Sequence, residues 1–323
     1  MTNFPAAVSI EPLGDGAAVV AFDIGGTDIK AALFDASGAM LGLTRVPTPH
    51  RGVHTVDAVM QEIAELTAGF AADFPLVQPL AVGLIAPGIV DDDRGIGIHA
   101  ANLQWADAPF KHLAEKRLGM PASFSHDVRA AGEAEFRLGA ALPYRDVAVV
   151  VIGTGIAASL FIGGRPHSAG GYAGELGHSI VDPAGELCAC GSTGCLETIA
   201  SAGAIVRRYE RATGSKMPGA KEIIERARNG DSEAQSIWND ALDALALSIA
   251  QLAAVLAPEA IVIGGGLAQA GDALLVPLRT RVDNLLSFQR LPVVVAASIG
   301  ENAGLLGAAL HARAAAVAAG MRP

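Results

Sequence analysis

The sequence predicts an α/β protein, and three observations carry that prediction. Apolar strands alternate with amphipathic helices, Gly-rich turns follow several strands, and one strand-turn-strand unit occurs twice. Residues 18–34 read as strand, turn and strand, with Val19, Val20, Ile29 and Leu33 flanking a turn that Gly25 and Gly26 permit. In 55–73, Val56, Val59, Ile63, Leu66 and Phe70 recur at spacings of three and four, the period of a helix with one apolar face. A buried strand follows at 80–86, another ends near Phe124, and 128–140 reads as helix. Two strands are expected in 146–163, a long helix in 231–257 stopping before Pro258, a strand at 261–263 delivering three glycines to a helix start, a strand at 292–297 and an Ala-rich helix at 303–319.

The repeat is local and specific. Aligning GTDIKAALF (26–34) with GTGIAASLF (153–161) matches Gly, Thr, Ile, Ala, Leu and Phe at the same offsets. Two related lobes with a cleft between them are therefore expected.

The 323 residues suffice for about two domains. A composition that is 51% hydrophobic and 17% charged is the opposite of a disordered chain's. Lys+Arg 23 against Asp+Glu 33 gives a net charge of -10 with no basic run, which argues against nucleic acid as a partner. The most apolar stretch, 242–256, contains Asp243, Ser248 and Gln251 and is shorter than the ~18 residues of a spanning segment, so no membrane association is expected. The N-terminal residues lack a basic region and an uninterrupted apolar core, and a cytoplasmic location is expected. Three cysteines, all between 188 and 195, do not make a disulfide framework and point to a metal.

Three Gly-rich turns follow apolar strands: Gly25, Gly26 and Thr27; Gly153, Thr154 and Gly155; and Gly264, Gly265 and Gly266. Amides without a neighbouring Cβ can face a polyanion, the two threonines add hydroxyls, and Asp23 can hold a hydrated Mg²⁺. Each turn alone also reads as an ordinary hairpin turn. Neither the dinucleotide fingerprint nor the Walker P-loop is present. His178, Cys188, Cys190 and Cys195 form a closed Cys₃His set suited to structural Zn²⁺, with Gly185, Gly191 and Gly194 allowing the sharp turns of a short metal loop. Asp127, just before the helix at 128, reads equally as a helix cap or as a carboxylate able to accept a hydroxyl proton.

Together, DIGGTDIK at 23, APGIVD at 86, NLQW at 102, HDVRAA at 126, GTGI at 153, GELGH at 174, CACGSTGCLE at 188 and IVIGGG at 261 resemble the ROK family (repressor, open reading frame, kinase) over nearly the whole chain. The resemblance implies the two-lobed actin/hexokinase-like ATPase fold with a central cleft. One lobe would span 1–125 plus the helix at 303–323, the other 126–302. It implies that the first two turns, with Asp23 and Lys30, hold the phosphates of ATP with Mg²⁺, and that the third turn lies by the adenosine. Asp127 would be the catalytic base. Gly88, Asn102, His126, Glu175, His178 and Glu197 would form the sugar site, with His178 using one ring nitrogen for zinc and the other for a sugar hydroxyl. Trp105 is expected to serve packing. Family glucokinases commonly have Asn before this Asp and Asn two residues after it, where this chain has His126 and Arg129, which leaves the sugar open. Ala157 and Ala158 stand where the family often has glycine.

The function so implied is an ATP-dependent kinase acting on the 6-hydroxyl of a hexose or N-acetylhexosamine. Glucose is the first choice, ahead of N-acetylglucosamine, N-acetylmannosamine, mannose and fructose. A sugar-sensing regulator of the same family and a non-catalytic sugar-binding protein are the alternatives. The regulators carry a helix-turn-helix ahead of these motifs, and few residues precede the first strand here. A homodimer is expected from the resemblance and the apolar C-terminal helices.

Overall fold

The computed structural model describes residues 13–100 and 103–321. Within them the chain forms two compact units, one running to Ala134 and resuming at Asn302, the other spanning Glu135–Glu301.

In the first unit, β1 (Val19–Ile24) and β2 (Asp28–Phe34) pair antiparallel with Asp23 opposite Lys30 and Ile24 opposite Ile29, so the Gly25–Gly26–Thr27 turn closes a tight hairpin. After β3 (Met40–Pro47), helix α1 (Thr55–Asp73) buries Val59, Ile63 and Phe70 of the stripe its sequence period predicts, with Val56 and Leu66 half-buried and Met60 joining them. Strand β4 (Ala81–Ala86) is buried at every residue. Next come three short strands, β5 (Ile89–Asp91), β6 (Ile96–Ala100) and β7 (Trp105–Ala108), which make a small antiparallel sheet of their own. Helix α2 (Phe110–Leu118) ends at Gly119, whose φ of 69° suits a residue without Cβ. Strand β8 (Ala122–His126) runs directly into α3 (Asp127–Leu138). The passage to the second unit falls inside α3, so Asp127 stands in the first. Trp105 is buried, packs edge-on against Phe110 at 4.8 Å, and Phe110 stacks on Phe124 at 4.6 Å; the indole serves packing.

In the second unit, β9 (Val147–Ile152), β10 (Ile156–Ile162) and β11 (Arg165–His167) precede the helices α4 (Leu196–Ala200), α5 (Ala202–Thr213), α6 (Ala220–Arg228) and α7 (Ser232–Leu256). Then β12 (Ala260–Gly264), α8 (Asp272–Leu285) and β13 (Val293–Ala296) complete it. Asp231 caps α7 by accepting from the Glu233 and Ala234 amides, and Ala257 in the left-handed conformation ends it before Pro258. Among the described residues α7 is the one helix whose length and composition would suffice to cross a membrane, yet half of its most apolar window is buried within the protein. Ile237, Leu242, Leu245 and Ile249 belong to the core of the second unit.

The two main sheets have the same plan. Their orders are β3-β2-β1-β4-β8 and β11-β10-β9-β12-β13, the first three strands antiparallel and the last two parallel to the central one. Equivalent residues hold equivalent registers: Phe34 faces Val19 and Phe161 faces Val147, Ile29 faces Ile24 and Ile156 faces Ile152. The sequence repeat is thus a repeat of structure.

The C-terminal helix, Ala303–Ala318, packs on β1, β4 and β8 of the first unit. Small residues let it come close: a Cβ on Gly83 would lie 1.9 Å from the Ala308 carbonyl oxygen, and one on Gly307 would lie 2.0 Å from that of Ala130. Arg313 ties its far end down, donating to the carbonyls of Gly14 at 2.6 Å, Ala17 at 3.0 Å and Asp35 at 3.1 Å.

Candidate functional site

In the first unit, Asp23 lies near the end of β1, immediately before the first Gly-rich turn. Burial, then the negative charge of Asp127, pushes its carboxyl up to about 6 against the opposing pull of Lys30 and Arg45. Asp23 and Asp127 therefore share one electrostatic neighbourhood beside the turn. The turn is fastened from below: the Gly25 amide donates to the Asp28 carbonyl at 2.9 Å, and the Thr48 hydroxyl donates to the Gly25 carbonyl at 2.7 Å. His50 Nε2 lies 2.9 Å from the Gly26 carbonyl. The Thr27 side chain is left exposed.

Asp127 is placed by the β8–α3 junction. Its Oδ1 accepts from the adjacent Val128 amide at 2.7 Å, whereas an N-cap accepts from an amide two or three residues on. Its side chain is 34% exposed, enough to meet a solute. His126 is buried, with Nδ1 3.3 Å from Asp127 Oδ1 and 3.2 Å from the Val128 nitrogen. Arg129, in the first turn of the helix, is also buried. Its Nε donates to Asp92 Oδ2 at 2.7 Å and its Nη2 to the Val90 carbonyl at 2.7 Å, while Asp92 Oδ1 accepts from the His126 amide at 3.1 Å. The two departures from the family pattern therefore take part in one polar cluster that fixes the backbone leading into Asp127. No sequence signal picks Asp92 out of the Asp91–Asp92–Asp93 run.

Gly88 has φ of 106°, and the His99 carbonyl lies 2.3 Å from where its Cβ would stand. The close approach that requires glycine is thus made by β6. Asn102 lies outside the described residues.

In the second unit, Gly153–Thr154–Gly155 joins β9 to β10 at the position equivalent to the first turn, with Thr154 exposed. Glu197, on α4, approaches it closely: Oε2 accepts from the Ile156 amide at 2.9 Å. Glu175 is exposed, and its Oε2 is 3.9 Å from His178 Nε2. His178 turns its other nitrogen, Nδ1, toward Cys188 Sγ at 3.7 Å, so the ring faces the thiols on one side and Glu175 on the other.

The ligand atoms of His178, Cys188, Cys190 and Cys195 all lie within 4.8 Å of one another. Cys190 and Cys195 are 3.6 Å apart at sulfur, near the ~3.5–3.8 Å edge of a tetrahedron built on ordinary zinc bonds. Hydrogen bonding from the Ser192 amide brings the Cys190 thiol down to about 7, whereas burial pushes Cys195 up to about 12. The donors fit a closed four-coordinate Zn²⁺ site with no position for water.

The third Gly-rich turn follows β12. Gly264 is buried, and Gly265 has φ of 81° with the Ile152 carbonyl 2.5 Å from its would-be Cβ. Gly266 faces open space and begins a short 3₁₀ turn over Gly266–Ala270 rather than α8 itself.

Two sheets of one topology, each with a Gly-Thr turn after its central strand, define a protein of the actin-like ATPase fold. The ROK family model matches residues 19–315, and the chain belongs to the ROK family. It is 34% identical over 316 residues to a glucokinase of Streptomyces coelicolor, covering 91% of this chain and 97% of the relative. It is 31% identical over 306 residues to an N-acetylmannosamine kinase of Escherichia fergusonii, covering 91% and 98%. Among solved structures, a ROK family glucokinase from Streptomyces griseus in complex with glucose and AMPPNP superposes with a TM-score of 0.76 at 33% identity, covering 92% of this chain and 99% of that one. A ROK family transcriptional regulator, a homologue of the Escherichia coli MLC protein, superposes with a TM-score of 0.82 at 25% identity, covering 91% of this chain and 77% of that one.

Proposed function

We propose that this protein is an ATP-dependent hexose kinase that transfers the γ-phosphoryl group of ATP to the 6-hydroxyl of glucose. The observation that carries the reading is the pair of carboxylates beside the first turn. Asp127 is partly exposed at a helix start, and its charge helps to hold the Asp23 carboxyl at about 6. One carboxylate placed to accept a hydroxyl proton and another beside a phosphate-binding turn are what phosphoryl transfer needs, since its catalysis is mostly positioning and charge stabilisation. A regulator that only senses sugar has no use for a base there, and the kinase names of the relatives support the same choice.

In this reading Asp127 takes the proton of the 6-hydroxyl as its oxygen attacks the γ-phosphorus and ADP leaves. Gly25, Gly26, Thr27, Gly153, Thr154 and Gly155 orient the phosphates through amides and hydroxyls, and Gly264, Gly265 and Gly266 border the adenosine. Lys30 adds positive charge near Asp23. Mg²⁺ near Asp23 would neutralise charge developing on the phosphates. Glu175 accepts and His178 Nε2 donates hydrogen bonds to sugar hydroxyls, with His126, Asn102 and Glu197 completing the sugar contacts, while Gly88 lets β6 pack beneath them. His178, Cys188, Cys190 and Cys195 would hold a structural Zn²⁺, which would fix that loop. Glucose precedes N-acetylmannosamine because the glucokinase relative is the more similar. Three free thiols clustered as metal donors suit the reducing cytoplasm, where ATP is also at hand. A homodimer rests on the family resemblance alone, because the C-terminal helix spends most of its apolar residues within its own unit.

The test is ADP release in a coupled assay across a panel of hexoses and N-acetylhexosamines. Glucose-dependent release is expected. Sugar binding by calorimetry without ADP release from any sugar would reject the kinase in favour of a sensor.

A further inference from the structure

We propose that Glu197 is a positioning residue for the second Gly-Thr turn and so helps to set the affinity for the nucleoside triphosphate. The proposal rests on the kinase reading, in which that turn binds phosphate, and it concerns a contact made whether or not Glu197 also meets the sugar.

Three observations within the second unit carry it. The Glu197 backbone is rigidly placed, because Leu196 and Thr198 on either side are buried and the Thr198 hydroxyl donates to the Cys195 carbonyl at 2.7 Å. One carboxylate oxygen is committed to the turn, Oε2 accepting from the Ile156 amide at 2.9 Å. A bond to an ionised acceptor is stronger than a neutral one and fixes the peptide plane that follows Gly155. Finally, the turn is shaped to admit this carboxylate: a Cβ on Gly155 would stand 2.5 Å from Glu197 Oε2. The contact continues into α5, where the Ala202 amide donates to the Gly153 carbonyl at 2.9 Å and a Cβ on Gly203 would come within 3.0 Å of the Thr154 carbonyl. The start of α4 and α5 therefore acts as a bracket for residues 153–156.

A negative charge beside a phosphate turn is electrostatically unfavourable for phosphate. Its presence is explained if the hydrogen bond matters more for geometry than the charge costs, and this sets the test. In the full-length protein, Glu197→Gln keeps an acceptor for the Ile156 amide and removes the charge, so the KM for ATP should stay within about threefold of wild type or fall. Glu197→Ala removes the acceptor and should raise the KM for ATP roughly tenfold or more. Gly155→Ala should also raise it, and because its Cβ collides with Glu197 Oε2, adding Glu197→Ala should bring little further loss. Nucleotide binding by calorimetry, melting temperature and metal content accompany each variant.

The proposal is overturned if Glu197→Ala moves only the sugar KM, if Gln behaves like Ala toward ATP, or if the Gly155 and Glu197 penalties simply add. Should Glu197→Ala fail to fold, Gly155→Ala decides alone: an unchanged KM for ATP overturns the proposal. A wild-type protein that binds no ATP would instead reject the kinase reading itself.

Discussion

In the kinase reading, Asp127 and Asp23 serve function at a cost to stability. Replacing Asp127 by Asn keeps the bond with the Val128 amide but removes the proton acceptor. Turnover should fall by about 10²- to 10⁴-fold with sugar affinity and melting temperature little changed. Full turnover with an unchanged melt would show that the base lies elsewhere. Asp23 makes the stability side measurable. Its folded-state pKa is raised from 3.8 to about 6, so the folded state holds the proton more tightly than the unfolded chain. Stability from this group is therefore fully present below about pH 4 and is lost as pH rises through about 6. Asp23→Asn, which needs no proton to be neutral, should be more stable than wild type at pH 7.5 in metal-free buffer by on the order of 1–3 kcal/mol, seen as a higher melting temperature, and the gap should narrow toward pH 4. Equal melting temperatures across the series would contradict the burial argument.

At the scale of elements, what the sequence reveals depends on period and length. Helix α1 and helix α7 are legible because their apolar residues recur over several turns, and the β1–β2 and β9–β10 hairpins because apolar runs flank glycines. The β5–β6–β7 sheet is not: its strands are three to five residues long, and Gly97 and exposed His99 interrupt any alternation. The Cys₃His cluster is legible from spacing alone, whereas the Arg129–Asp92 pair joins residues 37 apart through a fold the sequence does not display. The C-terminal helix is readable as a helix, but its partner is not, since Ala and Gly signal close approach without saying to what. The structure answers with Gly83 on β4. Gly83→Ala should force β4 and this helix apart, because its Cβ would be 1.9 Å from the Ala308 carbonyl oxygen. The expected cost is about 1–3 kcal/mol or more, seen as a melting temperature lower by several degrees; a melt equal to wild type would show that the helix can shift freely.

For the whole molecule, duplication of one sheet plan did not produce two equally independent parts. The second unit is continuous, Glu135–Glu301, and holds its own apolar cores, one around Val150, Leu245 and Ile263 and one around Val149, Phe161 and Val262. All four thiol and imidazole donors lie inside it. The first unit is discontinuous, since β1, β4 and β8 are covered by a helix encoded almost 170 residues later than Ala134. A fragment of residues 135–301 should therefore unfold cooperatively and carry about one zinc per chain when purified without added metal. A fragment ending at 134 exposes the faces of β1, β4 and β8 that the C-terminal helix covers, including the space beside Gly83, and should aggregate or remain molten. Joining residues 302–321 to that fragment through a flexible linker should restore a cooperative melt, because the cost of closing a longer loop grows only slowly with its length. Calorimetry and elemental analysis of the three proteins check this. A folded first fragment without the helix would show that the helix is dispensable to that unit. A folded 135–301 fragment that takes up no zinc from zinc-supplemented buffer would show that the Cys₃His cluster is not a metal centre.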